Sequence, residues 1–177
     1  MRLLPLIIFN AIASSLVTTA ALSQPQPPDP TFFTGNPPSL VSAGTPDSAV
    51  NWPSARYYFT FQLPSDSPES VGKVSFAPQP SGDPIVFNLT NTTAFQGTQN
   101  QQGKALAIQT SQAPDGTIAV QFNPPVPPGT TFTVSLQALQ NPSESGVYQF
   151  TVQGFPAGTN PTGFDLGVGR FSIYSFR

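Results

Sequence analysis

Eight carboxylates are the groups with which this sequence could do acid–base chemistry, because histidine and cysteine are both 0. Histidine is the commonest general base and metal ligand, so Ser–His–Asp, Cys–His and zinc chemistries are closed to it. Asp29, Asp47, Asp66, Asp83, Asp115, Asp165, Glu69 and Glu144 mostly stand beside Pro, Gly or Ser. Two of them facing each other across a sugar bond would make a carboxylate-based glycoside hydrolase. The competing reading makes them solvated turn residues, which prefer such places for backbone reasons. Calcium would need loop oxygens held close together, and no DxDxD run occurs. The residues predict no catalytic group, no metal ligand and no cofactor, and the chain is read as not an enzyme.

Binding chemistry has one candidate cluster. NWPSARYYF (residues 51–59) gathers the single tryptophan, Trp52, with Arg56, Tyr57 and Tyr58. Aromatic faces stack on sugars or peptides, and a guanidinium pairs with acidic groups. Trp52, Arg56 and Tyr58 are therefore the binding candidates, against a plainer reading in which Trp52 covers an end of the fold and Tyr58 fills an outer strand face. Asn88-Leu89-Thr90 and Asn91-Thr92-Thr93 are formal N-glycosylation sequons, meaningful only in a host with that machinery.

Charge narrows the partners. Only 8% of residues are charged and the formal net charge is −2. A nucleic-acid backbone is bound by clustered Lys and Arg, which this sequence lacks. Disorder fits as poorly, since it combines low hydrophobicity with high net charge. The remaining partners are an envelope protein or a glycan.

Residues 1–23 predict a cleavable signal peptide: Met1 and Arg2 begin it, Leu3 to Val17 form an apolar run, and small residues stand at Ala20, Ala21 and Ser23. Cleavage is expected after Ala21 or Ser23, with Ser23 favoured. A membrane anchor needs about 20 predominantly apolar residues, and this run is shorter and broken by Pro5 and Asn10. No membrane span is expected after cleavage, and the absence of cysteine excludes a lipobox. The location predicted is extracytoplasmic: periplasmic, secreted or at the cell surface.

The elements that must position any site are strands. Residues 24–31 (QPQPPDPT) read as an extended proline-rich lead, and residues 32–177 as one domain. In Arg56 to Leu63, Tyr57, Phe59, Phe61 and Leu63 alternate with polar neighbours, the pattern of a strand with one face on a core. Similar alternation marks Lys73 to Phe76, Ile85 to Leu89, Thr117 to Phe122, Thr131 to Ala138, Tyr148 to Gln153 and Arg170 to Tyr174, with weaker strands at Ser39 to Ala43 and Leu106 to Thr110. Pro114-Asp115-Gly116 predicts a hairpin turn, Ser67-Pro68-Glu69 a single helical turn, and Thr98 to Lys104 a polar exposed loop. Short strands between turn residues predict an all-β antiparallel sandwich, immunoglobulin-like and without its disulfide, preceded by the signal helix. The 15 phenylalanines supply its packing.

RYYFTFQLP (56–64), TAFQG (93–97), FNPPVPPGTTFTVSL (122–136), NPSESGVYQFTVQGFPAG (141–158) and GVGRFSIY (167–174) together resemble a family of short exported cyanobacterial proteins whose domain has unknown function. The resemblance implies a signal peptide, one all-β domain and a periplasmic or cell-surface place. It brings no catalytic or ligand-binding residue. The function expected is a non-enzymatic structural or interaction module of the cell envelope, touching partners through edge strands. The alternative is a carbohydrate-binding module using its exposed aromatics.

Overall fold

The computed structural model describes residues 29–175. The signal-peptide reading of 1–23 and the first residues of the lead, 24–28, lie outside them.

Ten strands build the domain: β1 (Ser39–Gly44), β2 (Arg56–Gln62), β3 (Val71–Pro78), β4 (Phe87–Thr98), β5 (Gln101–Leu106), β6 (Ile108–Gln112), β7 (Ile118–Val126), β8 (Thr131–Ala138), β9 (Gly146–Pro156) and β10 (Phe164–Ile173). They form two antiparallel five-stranded sheets, ordered β1-β2-β8-β4-β5 and β10-β9-β3-β7-β6. The immunoglobulin order places A-B-E-D on one sheet and C-F-G on the other. Here β1-β2-β8-β4 and β10-β9-β3 reproduce it, with β5, β6 and β7 inserted between the fourth strand and the eighth. The fold is an immunoglobulin-like sandwich that holds without a disulfide.

The period-2 residues meet between the sheets. Tyr57, Phe59 and Phe61 are wholly buried and Leu63 nearly so, as their alternation predicts. Phe59 stands at the centre, its ring 4.4 Å from Phe76, 5.1 Å from Phe171 and 6.0 Å from Phe150. Most of these rings meet edge-on or tilted, the arrangements that aromatic quadrupoles favour.

Three local expectations are corrected. The Thr98 to Lys104 loop is mostly strand: β5 begins at Gln101 and pairs with β4 through Gly97 opposite Gln102. Gly97 adopts φ 94°, open to glycine but strained for other residues, so the reversal needs only a two-residue tip. The weak strand at Leu106 to Thr110 is divided at Ala107, where the chain passes from one sheet to the other. Ser67-Pro68-Glu69 forms a bend, not a helical turn; the Ser67 hydroxyl donates to the Glu69 carbonyl at 3.2 Å.

Each sheet ends in two edge strands, β1 and β5 in one and β10 and β6 in the other. Along one side β5 runs into β6, and along the other β1 lies beside β10, with Ala49 bridged to Tyr174. Bulges interrupt β1 between Leu40 and Ser42, β10 between Asp165 and Gly167, and the β4–β5 pairing between Phe95 and Gly97. Bulges and an edge lysine, here Lys104, are the usual devices that discourage strand addition. These devices work against the expected contact through edge strands, although β1, β5, β6 and β10 each pair on one side alone.

Candidate functional site

Antiparallel order gathers residues 45–55, 79–86, 113–117 and 139–145 at one end of the sandwich. The opposite end is crossed by residues 29–38. There Thr31 N–H donates to the Asn160 carbonyl at 3.1 Å and Thr162 N–H to the Thr31 carbonyl at 2.8 Å. The Thr34 hydroxyl and N–H both donate to the Glu69 carboxylate. The N-terminal segment is thus strapped to the end away from the four gathered loops.

A buried hub fixes two of those loops. The Tyr57 hydroxyl donates to Asn141 Oδ1 at 2.6 Å, while Asn141 Nδ2 donates to the carbonyls of Asp47 and Ala49. Asn141 is 3% exposed, so each bond satisfies a group with no access to water. Burial, then the charges of Tyr148 and Asp47, push the Tyr57 hydroxyl well above the ordinary tyrosine range. Because the fold favours the neutral phenol, its contribution is whole below pH ~10 and is lost as pH rises from there towards the folded value. The carboxylates of Glu69, Asp83 and Asp115 are held low by hydrogen bonds, so theirs is present above about pH 4 and lost below. With no histidine to titrate between, the urea midpoint should be flat from about pH 5 to about 9 and fall in alkali. Tyr57→Phe should shallow the alkaline fall; an unchanged alkaline slope would refute the assignment.

The acids serve turns. Asp47 accepts from the Arg56 N–H at 3.0 Å, Asp115 from the Thr117 N–H at 2.9 Å and Asp165 from the Gly167 N–H at 2.8 Å. Asp66 accepts from the Asn36 amide. Asp83 accepts both the N–H and the hydroxyl of Ser143, which lower its pKa in that order. Asp83 and Glu144 do lie at the same end, and both charges reach the Tyr148 phenol after its burial in raising that group. A glycosidase's general acid needs a raised pKa, the reverse of what Ser143 does to Asp83. Among the described residues, no three Asp or Glu side chains come together as a metal site.

The three binding candidates separate into two places. Arg56 and Tyr58 share the outer face of β2, opposite Gln137 and Ser135 of β8, and Arg56 Nη1 donates to Ser135 Oγ at 3.3 Å. Trp52 stands in the preceding loop, 48% exposed, with its carbonyl accepting from the Asn141 N–H at 2.8 Å. Ser54, at φ 54°, turns the chain between them. Another aromatic, Phe155, has Lys73 Nζ 3.8 Å above its ring.

Sequence reasoning missed a concave surface. A groove of about 500 Å³ opens at the four-loop end, walled by Pro78, Pro80, Pro84, Pro114 and Tyr148, with Phe150 also in its lining and Asp115 among its polar residues. Its walls join the Pro114-Asp115-Gly116 turn to segments that read as strands, Ile85 to Leu89 and Tyr148 to Gln153, and neither signal marks a surface. A second depression of about 350 Å³ shares Pro84 and Val86 with it and adds Leu139 and Asp83.

These features define a class: an all-β sandwich of immunoglobulin type whose acidic residues cap turns and whose concave surface is proline-walled. The chain belongs to the family described as protein of unknown function DUF2808, whose model matches residues 30–173. No curated protein matches the sequence. Among solved structures, the chain is similar to BslA, a bacterial hydrophobin, at 17% identity and TM-score 0.49, over 80% of this chain and 96% of that one. It is also similar to the N-terminal domain of the Streptococcus gordonii adhesin Sgo0707 (13%, TM-score 0.47, 78% of this chain and 32% of that one). A third is ACE19, the collagen-binding subdomain of the Enterococcus faecalis surface protein ACE (12%, TM-score 0.43, 82% and 99%). These are likenesses of fold alone.

Proposed function

We propose that this protein is an exported, non-enzymatic β-sandwich acting as a structural or interaction module of the cell envelope. The observation that carries the reading is the use of its carboxylates: Asp47, Asp66, Glu69, Asp83, Asp115 and Asp165 all accept hydrogen bonds from neighbouring turns and loops. In a chain without histidine or cysteine, this commits six of the eight carboxylates to holding the fold, which supports a non-enzymatic reading. Export rests on the residue pattern of 1–23. The mature chain, immobilised, is expected to retain an envelope protein from extracts of its native host. Retention of none, or a cytosolic pool still carrying residues 1–23, would overturn the proposal.

Carbohydrate binding is the second reading, favoured by the exposure of Trp52. Glycan-array binding that disappears in Trp52→Ala would support it, and binding that survives the substitution would remove Trp52 as the platform.

A further inference from the structure

The four-loop end has the shape and charge of a track, and its chemistry names what lies in it. The proline-walled groove and the second depression meet along Pro84 and Val86. Val86 continues the path to Leu139: the Leu139 N–H donates to the Val86 carbonyl at 2.8 Å, and both side chains are 58% exposed. Valine and leucine so far in water, side by side where two loops meet the ends of β4 and β8, are apolar surface with nothing over it. Each depression carries one carboxylate, Asp115 in the first and Asp83 in the second. Neither has a lysine or arginine in its lining.

We propose that this end docks an extended polypeptide segment of a partner, carrying apolar side chains with lysine or arginine between them. Two hollows joined by a ridge fit a chain that sets a side chain into each, more than one compact small molecule. The carboxylates give the pairing its sign, since an anionic segment would be repelled at both hollows. Proline walls have few conformations to lose, which reduces the ordering cost of binding. Residues 29–38 are held at the opposite end, while the described chain finishes at this one, where Tyr174 pairs with Ser48 and Val50. The assignment rests on the interaction-module reading and supplies the partner's chemistry.

The test uses the mature chain and two labelled synthetic nonapeptides with the same leucine, valine and proline residues, one carrying lysines and the other glutamates. Fluorescence anisotropy should show the lysine peptide binding at least about tenfold tighter, with the preference shrinking as salt rises. Val86→Gln with Leu139→Gln should weaken it about tenfold or more. Both side chains are exposed, so thermal unfolding of that variant should match the parent. Equal binding of the two peptides, or binding indifferent to the double substitution, would overturn the track. Two further outcomes would overturn the polypeptide assignment: displacement of the peptide by a neutral hexasaccharide, or self-association of the chain abolished by the same substitutions. If an envelope partner is retained equally by parent and variant, the interaction-module reading stands while this site falls.

Discussion

Phe59→Ala is expected to lower the unfolding free energy by about 3–5 kcal/mol, the range for removing a large ring from a packed core. Phe59 is wholly buried on β2, between β1 and β8 in its sheet, and its ring touches those of Phe76 and Phe171 from the facing sheet. The cavity would open between two layers that close on each other along both sides, so neither can collapse into it. A sandwich of this size holds about 5–15 kcal/mol in all, so the variant should sit near the limit of folding. Urea unfolding followed by circular dichroism measures the loss. A change below about 1 kcal/mol would mean that the ring is not where the two sheets are joined.

Gly169→Ala should cost about 1–3 kcal/mol, although it adds a single methyl group. A Cβ at Gly169 would lie 2.6 Å from Phe59 Cε1 and 3.2 Å from the Ala43 Cβ, where β10 passes beside β1. No flexible side chain is available to yield, since Phe59 is held by Phe76, Phe150 and Phe171. The effect should shrink in a Phe59→Leu background, because leucine ends short of the position that the new methyl group meets. A double-mutant cycle would then show coupling between two residues on different sheets. Additive losses would separate the glycine from the ring and sink this account.

The alternating strands were legible because one face of each is buried, and the pleat converts burial directly into period 2. Tyr57, Phe59 and Phe61, or Val134 and Leu136, announce themselves in this way. TAFQG does not. Phe95 is 7% exposed yet lies on the outer face, level with Thr133, which in turn pairs with Thr60. Those two threonines share a hydrogen bond at 2.9 Å and are almost wholly buried on a face that alternation alone reads as wet. Beside them Thr133 also donates to the Gly97 carbonyl at 2.7 Å, a contact across the β4–β8 pairing. Such local cover depends on which strand lies next in the sheet, and no single segment encodes that.

The candidate site was less legible still. Trp52, Arg56 and Tyr58 are consecutive enough to suggest one platform, but the left-handed Ser54 divides loop from strand. Val86 and Leu139 are distant in sequence and neighbours in space, joined only when residues 84–86 align beside residues 139–141.

By itself, the sequence determined the chemistry denied to this protein, the all-β class and most of the inward-facing rings, since those follow from residue types and from a periodicity that acts over a few neighbours. Tertiary structure alone decided that β5 and β6 carry one chain across both sheets, that the edges are blunted, and that turn prolines from separate loops make one groove. The reason is the range of the forces: pleating and turn preference are local, whereas strand order and the hollows at a sandwich end are set by long-range pairing.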